Sequence, residues 1–245
     1  MTAGNYDPRA VFNERRKKRM RKYRMKRIFF CLATVIITTA LILGGVTVYK
    51  LIKGDVYDEG FVPWVYGRNI SAKVKKAQNT EIPEWIDVNL INIHGTARSG
   101  KYLSDIKNIV IHYVGNPNST AANNRDYFNK LSTGVSSHFI VGLEGEIIQC
   151  VPLHEKSAAS NNRNRDTISI EVCHPDESGK YSDVTYDSLV KLTAWLCHEF
   201  GLDKDDIIRH YDITGKICPK YYVENEDEWE DFKEDVKQNF KDYEN

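Results

Sequence analysis

From residue 86 onward the apolar positions follow two periods, and together they predict strands alternating with helices. Ile109-Val110-Ile111-His112-Tyr113-Val114 is a near-continuous apolar run, as expected of a central strand covered on both faces. Ile86 to Ile93 alternates loosely and reads as an edge strand, and Thr167 to Val172 is a second short β-branched run. His138 to Val151 reads as a hairpin turning at Glu144-Gly145. Ala121 to Lys130 suits a helix with Tyr127 and Phe128 facing inward. A longer helix is predicted from Tyr186 to Phe200, where Leu189, Leu192, Thr193, Leu196 and Phe200 recur at helical spacing, with Thr185 capping its start and Gly201 its end. Ile207 and Ile208 lead into a polar loop. Trp229, Phe232, Val236 and Phe240 then form the apolar stripe of a final acidic helix. These elements predict an α/β domain over residues 85–245, built on a mixed central β-sheet flanked by helices.

The first third of the chain is patterned differently. Residues 28–49 are 22 positions without a charge, enough to span roughly 30 Å of hydrocarbon as one helix. Before them, the run Arg15-Arg16-Lys17-Lys18-Arg19-Met20-Arg21-Lys22 suits an anionic surface or a nucleic acid; the apolar stretch behind it favours the cytoplasmic flank of a transmembrane segment. The apolar run exceeds a secretory signal core and no A-x-A-like site follows it, so it reads as an uncleaved signal anchor. Residues 1–27 are then a cytoplasmic tail, and everything after Lys50 lies on the extracytoplasmic side. Residues 50–84 keep no period and mix charges, glycines and prolines with aromatics, which predicts a linker.

Charge changes this picture only locally. Of the 34 basic and 34 acidic residues, 11 and 2 lie within residues 1–27, leaving 23 and 32 in the remainder. The chain is therefore a basic tail on an acidic body, and without a folded reading motif in that tail it is not expected to bind nucleic acid. Five cysteines in 245 residues do not make a disulfide framework. Cys31 lies in the apolar run. Nothing in the spacing of Cys150, Cys173 and Cys197 specifies a bridge, so they are expected mostly as small, reduced core residues.

The candidate chemistry centres on Arg209-His210-Tyr211-Asp212-Ile213-Thr214-Gly215-Lys216-Ile217-Cys218-Pro219. An imidazole nitrogen and a thiolate sulfur are zinc ligands, and a catalytic zinc takes a third protein ligand with one position left open. His112 is the candidate third ligand, although a histidine in an apolar strand is also commonly a hydrogen-bonded core residue. Glu171 falls on the strand face opposite Ile170 and Val172; a carboxylate there is either a general base with a raised pKa or the partner of an arginine such as Arg163 or Arg209. His138 reads as a wall of the site, and His174 as a decoy beside Cys173.

Four motifs in this order, I-V-I-H-Y-V-G-N, S-S-H-F-I-V, S-I-E-V-C-H-P and R-H-Y-D-I-T-G-K-I-C-P, resemble those of the zinc-dependent N-acetylmuramoyl-L-alanine amidases of the type 2 family, relatives of phage endolysins and peptidoglycan recognition proteins. The resemblance runs from about Trp85 to about Phe240. It implies a zinc site at His112, His210 and Cys218, Glu171 as catalytic base, and Lys216 facing the scissile carbonyl. Some relatives place a catalytic tyrosine where this chain has Ser137, which leaves Glu171 as the evident base. The implied substrate is peptidoglycan, cut between N-acetylmuramic acid and L-alanine by an enzyme anchored in the cell membrane. The competing expectation is a sensor or scaffold that binds peptidoglycan on the same fold without cutting it. The polar loops Asn116 to Asn124 and Ser157 to Arg165 are expected to line the groove, with Asn and Arg side chains available for stem-peptide carboxylates.

Overall fold

The computed structural model describes residues 70–240, together with Arg21, Met25, Leu32, Thr34, Thr38 and Thr39. The chain divides into two compact units, residues 1–59 and 60–245. In the first, those six positions are helical and exposed, and the Thr38 hydroxyl donates to the Thr34 carbonyl at 2.9 Å. The rest of the tail and of the span expected over residues 28–49 lies outside the described residues, as does the linker up to residue 69. Among the described residues no helix is long and apolar enough to cross a membrane.

The second unit is organised by β2 (Asn108–Tyr113), which pairs in parallel with β5 (Thr167–Val172) on one side and β6 (Ile207–Arg209) on the other. Beyond β5 comes β3 (Phe139–Val141), parallel to it; β4 (Ile147–Gln149) folds back antiparallel in the predicted hairpin, and β1 (Asp87–Val88) adds parallel to β4. The sheet order is therefore β1-β4-β3-β5-β2-β6, a mixed sheet as expected from the pattern.

Strand alternation separates two faces with different tasks. Ile109, Ile111, Phe139, Val141, Ile168, Ile170 and Val172 enter one continuous core with Leu189, Leu192 and Leu196 of the long helix and with Trp229, Phe232 and Val236 of the last one. The other side of β5 carries Thr167, Ser169 and Glu171, and Ile140, Ile148 and Cys173 on that side pack with Ala121 and Phe128 in a smaller cluster. One face of the sheet is thus filled by hydrocarbon, and the other also carries polar side chains, with Thr167 and Ser169 buried and Glu171 partly so.

Among the described residues of this unit there are six α-helices: α1 (Ala72–Ala77), α2 (Ala121–Phe128), α3 (Asp183–Phe200), α4 (His210–Thr214), α5 (Lys220–Glu224) and α6 (Glu226–Phe240). α3 starts one turn before the predicted helix. Ser182 is its N-cap, accepting from the Thr185 backbone, while the Thr185 hydroxyl donates to Gly142 O at 2.9 Å and so ties the helix to the β3–β4 turn. At its other end Gly201, at φ 55°, closes the helix in the left-handed conformation expected of a C-cap glycine.

α1 lies inside the stretch read as linker. Val74 is fully buried in the main core, and the Lys73 and Lys76 ammonium groups donate to the Gly201 and Glu199 carbonyls at 3.4 and 2.5 Å. Two cations therefore sit on the C-terminal end of α3, where the helix dipole and the unpaired carbonyls favour positive charge. The folded unit begins before Trp85. Two further readings change: Phe128 is buried but Tyr127 is 50% exposed, because neighbouring residues on a helix point about 100° apart. Within Ile86 to Ile93 only Asp87–Val88 pairs as a strand, while Ile86 and Ile91 anchor the rest as buried loop residues. All four cysteines of this unit are free and buried.

Candidate metal centre and active site

Parallel pairing places the candidate residues in a row. His112 on β2 is the register partner of Glu171 on β5, and Ile111 is the partner of Arg209 on β6, so His210, the first residue of α4, emerges beside His112. Their rings lie 4.7 Å apart between centroids. Arg209 fixes that exit. Its guanidinium binds Asp212 at 3.0 Å, Glu226 at 2.7 Å and the Tyr222 carbonyl at 2.9 Å, joining α4 to α5 and α6. The loop after α4 returns Cys218 to the same spot, held by the Tyr211 backbone N–H on the Cys218 carbonyl at 3.0 Å.

His112, His210 and Cys218 each bring one ligand atom into a group within 4.8 Å of one another, all three side chains buried. Cys218 Sγ is 3.8 Å from His112 Nδ1. Bonds of about 2.1 Å to nitrogen and 2.3 Å to sulfur at a tetrahedral angle would place those two atoms about 3.6 Å apart. The inner nitrogen of His210, Nδ1, is buried with no hydrogen-bond partner, as a ligand nitrogen would be before its metal arrives. Two imidazoles and one sulfur, closely spaced and turned inward, fit a zinc ion.

The electrostatics favour the same donors in neutral form. Burial, then the neighbouring His210 and Lys216, hold His112 well below the usual histidine range, and burial with Lys216 lowers His210. Burial pushes the Cys218 thiol up to about 12, with Glu171 adding to the rise and the Tyr113 backbone N–H and Lys216 opposing it. A metal ion would supply the charge that reverses this and displaces the thiol's proton to solvent.

Glu171 stands beside this cluster without an arginine. Arg163 binds Asp166 at 2.7 Å and Arg209 binds Asp212 and Glu226, so neither of the arginines that might have paired with it does so. Glu171 Oε2 is sealed from solvent with no hydrogen-bond partner. Burial raises the carboxyl to about 8, opposed by Lys216. Lys216 itself is exposed on the loop between α4 and Cys218, close enough to act electrostatically on His112, His210 and Glu171 together.

The remaining histidines take other places. His138 is fully buried, with Nδ1 accepting from the Ser169 backbone N–H at 3.0 Å and Nε2 against the Glu155 carbonyl at 2.9 Å, which supports the strand carrying Glu171. His174 stacks on Tyr113 and bonds the Asp176 carbonyl through Nδ1 at 2.7 Å, away from the ligand group. Two contacts were not anticipated. Asn161 Oδ1 meets His210 Nε2 at 2.9 Å, and Ser160 Oγ meets His112 Nε2 at 3.4 Å. Both belong to the loop expected to line the groove, and there Arg163 is held by Asp166 and by Asn108 Oδ1 at 2.5 Å.

Residues 102–221 match the profile of the family described as N-acetylmuramoyl-L-alanine amidase. The N-acetylmuramoyl-L-alanine amidase BlyA of Bacillus subtilis (strain 168) is 34% identical over 168 residues, covering 60% of this chain and 45% of that protein. The amidase CwlL of Bacillus licheniformis is 30% identical over 165 residues, with the same coverage. This chain thus spans a little under half the length of these curated relatives. Among solved structures, a mutant endolysin from Bacillus subtilis superposes with a TM-score of 0.55 at 25% identity, covering 62% of this chain and 97% of that one. The solution structure of the PlyG catalytic domain shares the fold with a TM-score of 0.56 at 24% identity.

Proposed function

We propose that this chain, which carries a domain of the type 2 N-acetylmuramoyl-L-alanine amidase family, is a zinc hydrolase that cuts the amide between N-acetylmuramic acid and L-alanine in peptidoglycan. The observation that carries this reading is the inward-facing group of His112, His210 and Cys218 with Glu171 as the strand neighbour of His112. Zinc held there would act as a Lewis acid on a carbonyl and lower the pKa of a coordinated water from about 15.7 towards 7.

The protein's own groups account for the proton traffic. Glu171, with its pKa lifted by burial to about 8, takes a proton from the attacking water and returns it to the departing L-alanine amine. Bound metal would lower that value from the metal-free one and keep the carboxylate basic near neutral pH. Lys216 places an ammonium where negative charge develops on the carbonyl oxygen, and a donor in that role contributes typically 10²–10³ in rate. Partial burial strengthens the interactions of Glu171, and Lys216 acts on them from the exposed loop.

Location completes the proposal. Residues 28–49, with the basic block before them, would anchor the chain in the cell membrane with its amino terminus in the cytoplasm and residues 50–245 outside, facing the wall. The test of function is a digest of purified peptidoglycan by the full-length protein, with mass spectrometry of the products. Stem peptides beginning at L-alanine, released by the parent and nearly absent with Glu171→Ala, are expected. A zinc-loaded parent that binds the wall without cutting it would instead make this a binding protein.

A further inference from the structure

We propose that Asn161 and Ser160 form a positioning clamp on the outer nitrogens of His210 and His112, in which Asn161 sets the tautomer of His210, an inference that rests on the metal reading above. Each contacts the outer nitrogen, Nε2, of one imidazole. A neutral imidazole carries one N–H, and an amide oxygen can only accept. Asn161 Oδ1 therefore places the His210 proton on Nε2 and leaves the lone pair on Nδ1, the buried nitrogen without a partner. The Ser160 hydroxyl, which can donate or accept, lies 3.4 Å from Nε2 of His112, whose Nδ1 faces Cys218 Sγ at 3.8 Å.

The loop is built to hold these two atoms still. Asn164 Oδ1 accepts the backbone N–H groups of Ala159 and Ser160 at 3.0 and 2.6 Å, and a short 3-10 turn, Asn161–Arg163, closes on it. Asn161 sits at φ 53°, a left-handed conformation that asparagine tolerates better than most side chains. The turn is moored to the strands it serves. Arg163 binds Asn108 at the start of the strand carrying His112, and the Ser157 hydroxyl bonds that of Ser169, two residues before Glu171. One loop, anchored to β2 and β5, thus touches the outer nitrogens of both imidazoles.

The test is zinc affinity by chelator competition on the full-length protein, with two-bond proton–nitrogen spectra of the metal-free histidines. Asn161→Gly removes the acceptor and permits the same backbone angle, so folding is preserved. It is expected to weaken zinc about 10–100-fold, as loss of an outer-shell partner does, and to release His210 into a mixture of tautomers. Asn161→Asp restores an acceptor and is expected to bind zinc within a few-fold of the parent. Parent-like affinity in Asn161→Gly, or an Asn161→Asp variant as weak as Asn161→Gly, overturns the clamp; so does a parent whose metal-free His210 is not protonated at Nε2. A parent that bound no zinc, yet showed the Nε2–H form and lost it in Asn161→Gly, would refute the metal reading and leave the clamp standing.

Discussion

His112 and Glu171 are register partners on adjacent parallel strands, so one imidazole of the candidate metal centre and the carboxylate beside it are fixed by the same backbone ladder. The distance between them depends on strand pairing and not on loop conformation. Replacing the carboxylate by an isosteric amide should therefore change chemistry without moving the ligands. Glu171→Gln is expected to lower kcat by about 10²–10⁴ while zinc content stays at one per chain, measured by peptidoglycan hydrolysis beside metal analysis.

The same residue predicts a pH dependence of stability in the metal-free protein. Its carboxyl is raised by burial from the ordinary 4.5 to about 8, so the folded state holds a proton that the unfolded chain has already released. Stability from this group is complete below about 4.5 and is lost as pH rises through about 8. Thermal unfolding of the metal-free parent and of Glu171→Gln should show the variant gaining on the parent across that window. Parallel curves would mean that the carboxyl is not desolvated.

Metal should act as a folding ligand. Because His112, His210 and Cys218 converge only in the folded chain, zinc at 100 times its dissociation constant is expected to stabilise by about 2.7 kcal/mol. The neutral Cys218 thiol must give up its proton on binding, so calorimetry in two buffers of different ionisation enthalpy should detect proton release. Cys218→Ala should abolish both effects.

The helix before the matched region should be structural. Val74 is wholly buried, and Val74→Ala is expected to cost about 2 kcal/mol in chemical denaturation with kcat unchanged. A domain cut at Trp85 would lose Val74 and the two lysines on the end of α3 together, and should unfold at lower denaturant than one cut at Ile70.

What could be read from the chain follows from which interactions repeat. The strands around His112 and Glu171, the β3–β4 hairpin, α3 and α6 show apolar periods over whole elements, and these emerge from the chain alone. α1 does not, because six residues with only Val74 and Ala77 buried make too short a stripe. His112, His210 and Cys218 were legible as metal-binding types in suggestive places, and strand pairing then brings them together. Asn161 was not. Its role arises from one left-handed backbone angle in a polar loop, and no period or motif signals where such a side chain will point. The polar S-N-N run at 160–162 beside the strand carrying Glu171 is the available hint, and its polarity alone suits a loop that faces substrate.

The parallel register also makes metal binding depend on pairing between distant parts of the chain. Cys218 and His210 are joined by one short loop, whereas His112 and Glu171 reach that loop only after β2 has paired with strands far along the chain on either side. Pairings between distant segments form late, since the loop they close costs entropy before any contact rewards it. A nascent chain therefore holds at most a two-ligand chelate until β2 has paired with β6. Tight metal capture would follow that pairing and report it.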